Sequence, residues 1–241
     1  SKVLSKKQEK IKSFSKGILP VLGILALVCG LIMGQPDLGT TVVVAGTTFL
    51  LLMAAGARLS HLFFLGLTGV AAVVLLIMVA PYRMERFIAF LDPWADPTDT
   101  GFQTIQSLLA LGSGGLFGVG LGASRQKLYY LPEKHTDFIF AIIGEELGFI
   151  GGMTILSLFL IFAWRGLKTA LGAPDSFGSL LATGITIMIT LQAIINIGVV
   201  TGSLPVTGIT LPFISYGGSS LLITMASVGV LLNISRFSSS K

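Results

Sequence analysis

Charge is what this sequence most lacks. Only 11% of its 241 residues are Asp, Glu, Lys or Arg, against roughly a quarter in soluble domains, while 53% are hydrophobic and mean hydropathy is +0.88. A water-soluble globular domain is excluded by that balance. The chain holds one cysteine, Cys29, inside an apolar run, so no intramolecular disulfide can form and the redox compartment is not encoded. No His and Cys cluster at ligand spacing, which leaves out a zinc site. There is neither an initiating Met nor the pattern of a signal peptide, and the opening SKVLSKKQEKIKSF reads as the tail of a preceding element followed by a basic loop. The chain is therefore expected to be a piece of a longer protein.

What is present is apolar length. A helix rising 1.5 Å per residue needs about 20 residues to cross a ~30 Å hydrocarbon layer. Five runs reach that: Ile18–Gly34, Leu38–Ala57, Leu62–Ala80, Phe138–Trp164 and Leu180–Val200. A shorter sixth, Ser219–Ile234, follows Gly217 and Gly218 and would span with help from its neighbours. The 30 glycines are scattered through these runs, as in helices that approach closely in lipid. The expectation is an all-α, polytopic membrane protein of about six transmembrane helices. It has a basic segment over residues 1–17, a membrane domain over 18–241, a large outward loop over 81–135 and a re-entrant or outer loop over 201–218.

If the first segment is cytoplasmic and the spans alternate, 11 of the 16 Lys and Arg residues fall inside. The outward ones are Arg83, Arg86, Arg125, Lys127 and Lys134. The positive-inside rule then predicts both chain ends in the cytoplasm and the long loop outside. The net charge of +5 follows from that topology and calls for no nucleic-acid partner, although the Lys2 to Lys16 stretch suits anionic lipid.

The outward segment ends in QKLYYLPEKHTDFIFAIIGEELG, with Asp137 where loop becomes helix. An acid at that depth is costly unless it is paired, wetted or used. From position alone Asp137 is a helix cap, satisfying first-turn N–H groups at the positive end of the dipole, or a reacting carboxylate among Arg125, Lys127, Lys134 and His135. Glu145 and Glu146 follow it by eight and nine residues. They diverge by ~100°, so at most one shares a face with Asp137. Each is either a buried structural acid, accepting hydrogen bonds from neighbouring helices such as those bearing Asn196 or Gln192, or a cavity or proton-path group.

Glycines 112, 114, 115, 118, 120 and 122 let the backbone turn tightly. Their N–H groups are either an anion nest or part of a packing device; the ending of a P-loop is missing, so nucleotide binding is not supported. Between Ser203 and Ser220, Pro205 and Pro212 with several glycines interrupt helix at apolar depth. Such backbone is tolerated only against protein or a wet cavity, which makes Ser215, Tyr216 and Ser219 candidate polar contacts. Asp37, in QPDLGT, either caps the helix from Leu38 or meets substrate.

Three blocks carry a more specific signal: QPDLGT (Gln35 to Thr40), GSGGLFGVGLGASRQKLYYLPEKHTDFIFAIIGEELGFIG (Gly112 to Gly151) and NIGVVTGSLPVTGITLPFISYGGSS (Asn196 to Ser220). In type and order they resemble the SEDS family of peptidoglycan glycosyltransferases, which includes FtsW, RodA and SpoVE, and the resemblance runs the length of the chain. Ser203 departs from the family pattern, where an apolar residue is usual. The wording FLDPWADPTDTGFQTIQSLLALGSGG resembles the division and sporulation branch. The resemblance implies a ten-helix fold of which this chain is the last six, a bacterial plasma-membrane location, and Asp137 as catalytic carboxylate.

The implied reaction polymerises lipid II: an acceptor sugar hydroxyl attacks the anomeric carbon of a growing chain carried on undecaprenyl pyrophosphate. Asp137 would be the general base. Arg125 and Lys127 would stabilise the departing pyrophosphate, with Lys134, His135, Ser215 and Tyr216 as further substrate contacts. A Mg or Mn ion bridging pyrophosphate and a carboxylate such as Glu133 is expected. The resemblance further implies a class B penicillin-binding protein as partner. A lipid II flippase or transporter would instead distribute ionisable groups along the span, which Glu145 and Glu146 keep open, and a non-catalytic scaffold would make the polar loop residues dispensable. Residues 1–241 alone are expected to insert without turnover, because part of the cavity wall would be missing.

Overall fold

The computed structural model describes residues 1–6, 11–124 and 136–238. Among them all regular structure is helical. After a short α1 (Lys2–Lys6) come α2 (Leu19–Met33), entered through a π-turn at Phe14–Ile18, then α3 (Leu38–Ala54) and α4 (Leu59–Val79). The next section holds α5 (Pro81–Leu91), a 3₁₀ turn at Pro93–Ala95 and α6 (Phe102–Gly114). The remainder is α7 (Ile139–Gly172), α8 (Ser176–Val200) and α9 (Gly218–Arg236). Among the described residues five helices are long and apolar enough to cross a membrane, and α3, at 17 residues, is a shorter apolar helix.

The ends of these helices follow from local chemistry. Asp37 caps α3, its carboxylate accepting the Thr40 N–H at 2.8 Å, which resolves the two sequence readings of Asp37 toward the cap. At the other end Gly56 adopts φ +83°, and the N–H groups of Ala57 and Gly56 reach back to the carbonyls of Leu52 and Met53. That pair of bonds is a Schellman closure, which a glycine in the left-handed region makes possible.

The stretch read as one long loop, 81–135, is substantially helical where described. PYRMERFIAFL puts charged and apolar residues on opposite faces of α5, directly after the α4 span, as an interfacial helix requires. Arg83 donates to the Leu76 carbonyl at 3.1 Å and stacks on Tyr82. The α6 helix, too short to span, buries Thr104, Ile105, Ser107 and Ala110. The fully buried Ser107 hydroxyl donates to the Val200 carbonyl at the end of α8, 2.7 Å away. Gly101 permits the turn before α6, since a Cβ there would lie 2.0 Å from the Pro93 carbonyl oxygen.

The chain divides into two compact units, Ser1–Ala72 with Ile161–Leu191 and Leu222–Lys241, and Val73–Leu160 with Gln192–Leu221. In the first, Leu4, Ile11, Ile18, Leu52, Leu62 and Leu180 form a core, and α7 and α8 approach closely where Gly166 faces Thr186. In the second, the core lies around Phe138, Ala141, Ile195, Val200 and Leu211. Half of the most apolar window of α8 is buried against 6% for α4, whose Phe63, Phe64, Leu67, Val70, Leu75 and Met78 are exposed.

α7 is one long helix only in outline. At Gly148 the backbone leaves helical geometry (φ 67°, ψ −166°), which breaks the bonds expected from Phe149 and Ile150 to the carbonyls of Glu145 and Glu146. The glycine-rich segment after α6 replaces them. Phe149 and Ile150 donate to the carbonyls of Gly115 and Leu116, and Val119 and Gly120 donate to those of Glu145 and Glu146. The interruption is therefore satisfied at apolar depth, as a break in a membrane helix must be. The anion-nest reading is overturned in the same observation: the N–H groups of Gly118, Val119 and Gly120 all meet carbonyl oxygens. Gly114 and Gly118 are packing glycines, for a Cβ on them would lie 2.0 Å from the Gly144 and 2.1 Å from the Glu146 carbonyl oxygen.

Candidate functional site around Asp137

Asp137 lies in the turn Thr136 to Phe138 that leads into α7, and it is half-buried. That turn is held through consecutive backbone carbonyls. Asn196 of α8, 1% exposed, donates from Nδ2 to the Asp137 carbonyl at 2.7 Å and to the Ile209 carbonyl at 2.7 Å. The Ser215 hydroxyl donates to the Thr136 carbonyl at 2.6 Å and accepts the Leu211 N–H at 2.7 Å. Reversing the Asn196 amide would set Oδ1 against two carbonyl oxygens, so this network fixes its orientation. The backbone on both sides of the Asp137 side chain is thereby fixed.

The segment between α8 and α9 supplies the opposite wall. It carries no regular helix over residues 201–217, as its Pro and Gly content predicts, and Ile209 and Leu211 are buried in it. A Cβ on Gly208 would sit 3.5 Å from Asp137 Oδ2, and Gly208 has φ +74°. A glycine there keeps the space in front of the carboxylate open. Phe213 adopts φ +68°, a conformation costly for a bulky side chain, and its ring lies 6.4 Å from that of Phe159.

The remaining candidates divide plainly. Arg125, Lys127, Glu133, Lys134 and His135 lie outside the described residues. Tyr216 is 80% exposed at the foot of α9. Ser215, read as a substrate contact, uses its only hydrogen to hold the Asp137 turn. Glu145 is 2% exposed and Glu146 half-buried, so the two do part company as their 100° separation requires. Asn196 donates to the Asp137 turn, and the buried Ser124 hydroxyl meets the Glu145 carboxylate.

Asn196 is the site residue whose importance the sequence concealed. A single asparagine in an apolar helix signals a buried polar contact, but its targets are backbone carbonyls, which no residue pattern reveals. Asn196→Ala leaves two buried carbonyls without donors, each worth ~1–3 kcal/mol. Thermal unfolding of the full-length protein should register that loss. An unchanged melting curve would mean that water takes over both bonds.

Comparison with known proteins agrees with this architecture. Residues 1–240 match the family model for FtsW, RodA and SpoVE, described as cell cycle proteins. The chain belongs to that family, a family of multi-pass membrane proteins. It is 59% identical over 238 residues to stage V sporulation protein E of Bacillus subtilis strain 168, covering 99% of this chain and 65% of that one. It is 50% identical to the probable peptidoglycan glycosyltransferase FtsW of Geobacter sp. strain M18, covering 96% and 63%. Among solved structures, a peptidoglycan synthase complex matches with TM-score 0.77 and 31% identity, over 99% of this chain and 67% of that one. The crystal structure of RodA from Thermus thermophilus matches with TM-score 0.63 and 30% identity, over 99% and 64%. The chain spans less than two thirds of the length of these curated relatives.

Proposed function

We propose that this chain carries the catalytic carboxylate of a peptidoglycan glycosyltransferase that polymerises lipid II during cell division or sporulation. The observation that carries the reading is the Asp137 turn, clamped by Asn196 and Ser215 at the entry to a membrane helix and faced by Gly208. The name of the FtsW relative, probable peptidoglycan glycosyltransferase, supplies the reaction class, and that of the sporulation relative one of the two processes. A hydroxyl of the acceptor sugar attacks the anomeric carbon of the donor glycan. The C–O bond to undecaprenyl pyrophosphate breaks, the pyrophosphate leaves with the electron pair, and Asp137 accepts the hydroxyl proton. Arg125 and Lys127 balance the charge on the leaving group.

Among the described residues no three His, Cys, Asp or Glu side chains come together, so no cage of protein ligands is built there for a metal. A Mg or Mn ion would suit this site in the manner such ions take with phosphates, through one or two carboxylates, Asp137 or Glu133, and the substrate's own oxygens. Its chemistry when bound would be neutralisation of the pyrophosphate charge.

The deciding experiment is glycan polymerisation by the full-length protein supplied with lipid-linked disaccharide. Long glycan strands support the reading. Transbilayer movement of the lipid without polymer would favour a flippase, for which the buried Glu145 would be the ionisable group in the span. Arg125→Ala combined with Lys127→Ala should weaken use of the pyrophosphate-linked donor by about tenfold or more, the scale of losing charge stabilisation at a leaving group. Unchanged kinetics would assign both to solvated surface.

The partner we propose is a class B penicillin-binding protein. The support is the similarity to a peptidoglycan synthase complex in which polymerization and crosslinking are coordinated, together with the exposed apolar faces of α4 and α9. Co-purification of the full-length protein with each transpeptidase of its source should single out one, and equal failure with all would remove the claim.

A further inference from the structure

A cavity of about 950 Å³ opens between the last turns of α7 and those of α9, a size typical of small-ligand pockets. Phe162, Leu231 and Leu232 form apolar walls, Arg165, Lys168 and Ser235 add charge and polarity, and among the described residues no carboxylate lines it. The wall is continuous with lipid-facing surface, for Leu232 is 61% exposed and Leu171 is 88% exposed. Arg165 stacks 5.8 Å from the Trp164 ring centroid, and that ring is itself exposed. An exposed Trp beside cations marks the headgroup level of a bilayer.

Charge decides what the cavity takes. Arg165 and Lys168 are three residues apart on one helix face, and Arg236 closes the last turn of α9 at the same end. The two helix C-termini contribute about half a negative charge each. The two full positive charges that line the cavity, Arg165 and Lys168, already outweigh them. Asp175, the nearest acid along the chain, is turned to the start of α8, where it accepts the Gly178 N–H at 3.3 Å. A soluble anion would use the cations and leave the apolar walls wet, while a neutral lipid would leave the cations unpaired.

We propose that this cavity binds one anionic phospholipid, its phosphate between Arg165 and Lys168 and its acyl chains along Phe162, Leu231 and Leu232. The site is separate from the Asp137 turn and does not depend on the reaction assigned to it. The test places a photo-crosslinking residue at Thr169 of the full-length protein, in vesicles of equal parts phosphatidylcholine and phosphatidylglycerol. Phosphatidylglycerol adducts should exceed phosphatidylcholine adducts by about tenfold, equivalent to ~1.4 kcal/mol of preference. Arg165→Gln with Lys168→Gln should return that ratio to the bulk value. Should the double variant misassemble, raised salt on the unaltered protein must lower the ratio, because headgroup pairing is screened. A bulk ratio in the unaltered protein, a preference that survives both the double variant and salt, or crosslinks to polypeptide in place of lipid overturns the proposal.

Discussion

Asp137→Asn in the full-length protein should cut glycan polymerisation by roughly two to four decades, the usual contribution of a positioned general base. Melting temperature and membrane insertion should stay unchanged. Both expectations come from the same geometry. Asn196 and Ser215 hold the turn through the backbone carbonyls of Asp137 and Thr136, and the substitution touches neither bond. Asparagine also keeps the size and capping capacity of aspartate, so only the proton-accepting group is removed. The measurement is polymer length and initial rate from lipid-linked disaccharide, on protein whose unfolding matches the parent. Near-normal product would end the general-base assignment and return Asp137 to the role of helix cap. Asn196→Ala gives the complementary pattern, with lower stability and a carboxylate still present but less well aimed.

The membrane helices were legible because length and hydropathy are local properties. Predicted runs and observed helices agree to within a few residues at most boundaries, and the largest misses lie where polar residues extend a helix beyond the bilayer, as Arg165 and Lys168 do in α7. The helices inside the 81–135 segment were not read, for two physical reasons. PYRMERFIAFL is too charged to register as a span although its pattern suits an interface, and α6 has 13 residues, too few to cross. Asp137 was found through the family motif, since position alone left cap and base open. The residues that aim it were not read in that role, because Asn196 and Ser215 act on backbone groups 59 and 79 positions away in sequence. Such partners become visible only once the chain is folded.

The interruption of α7 was hidden for the same reason. GEELGFIGG contains three glycines after the acids, and nothing local distinguishes Gly148, whose geometry is set by residues 115–120. This yields the largest expected stability effect. Gly148→Ala should destabilise the full-length protein by ~3 kcal/mol or more, because three costs combine. The alanine would occupy a backbone region open essentially to glycine, at ~1–3 kcal/mol. Its Cβ would lie 2.3 Å from the Gly118 amide nitrogen and 2.6 Å from the Leu116 carbonyl oxygen, neither of which is a flexible side chain. Moving that segment away would unmake the bonds that Phe149, Ile150, Val119 and Gly120 exchange, each worth ~1–3 kcal/mol when left unsatisfied. Gly118→Ala should behave alike, since its Cβ would lie 2.1 Å from the Glu146 carbonyl oxygen. Two milder substitutions serve as the scale. Gly115→Ala meets no atom within 4 Å but sits at φ +54°, so strain alone should cost ~1–2 kcal/mol. Gly112→Ala lies within α6 with nothing within 4 Å and should be neutral or stabilising by ~0.5–1 kcal/mol. Thermal unfolding of the four variants in detergent should order them in that sequence. If Gly148→Ala melts with Gly112→Ala, the exchange of hydrogen bonds at the break does not hold this part of the membrane domain together.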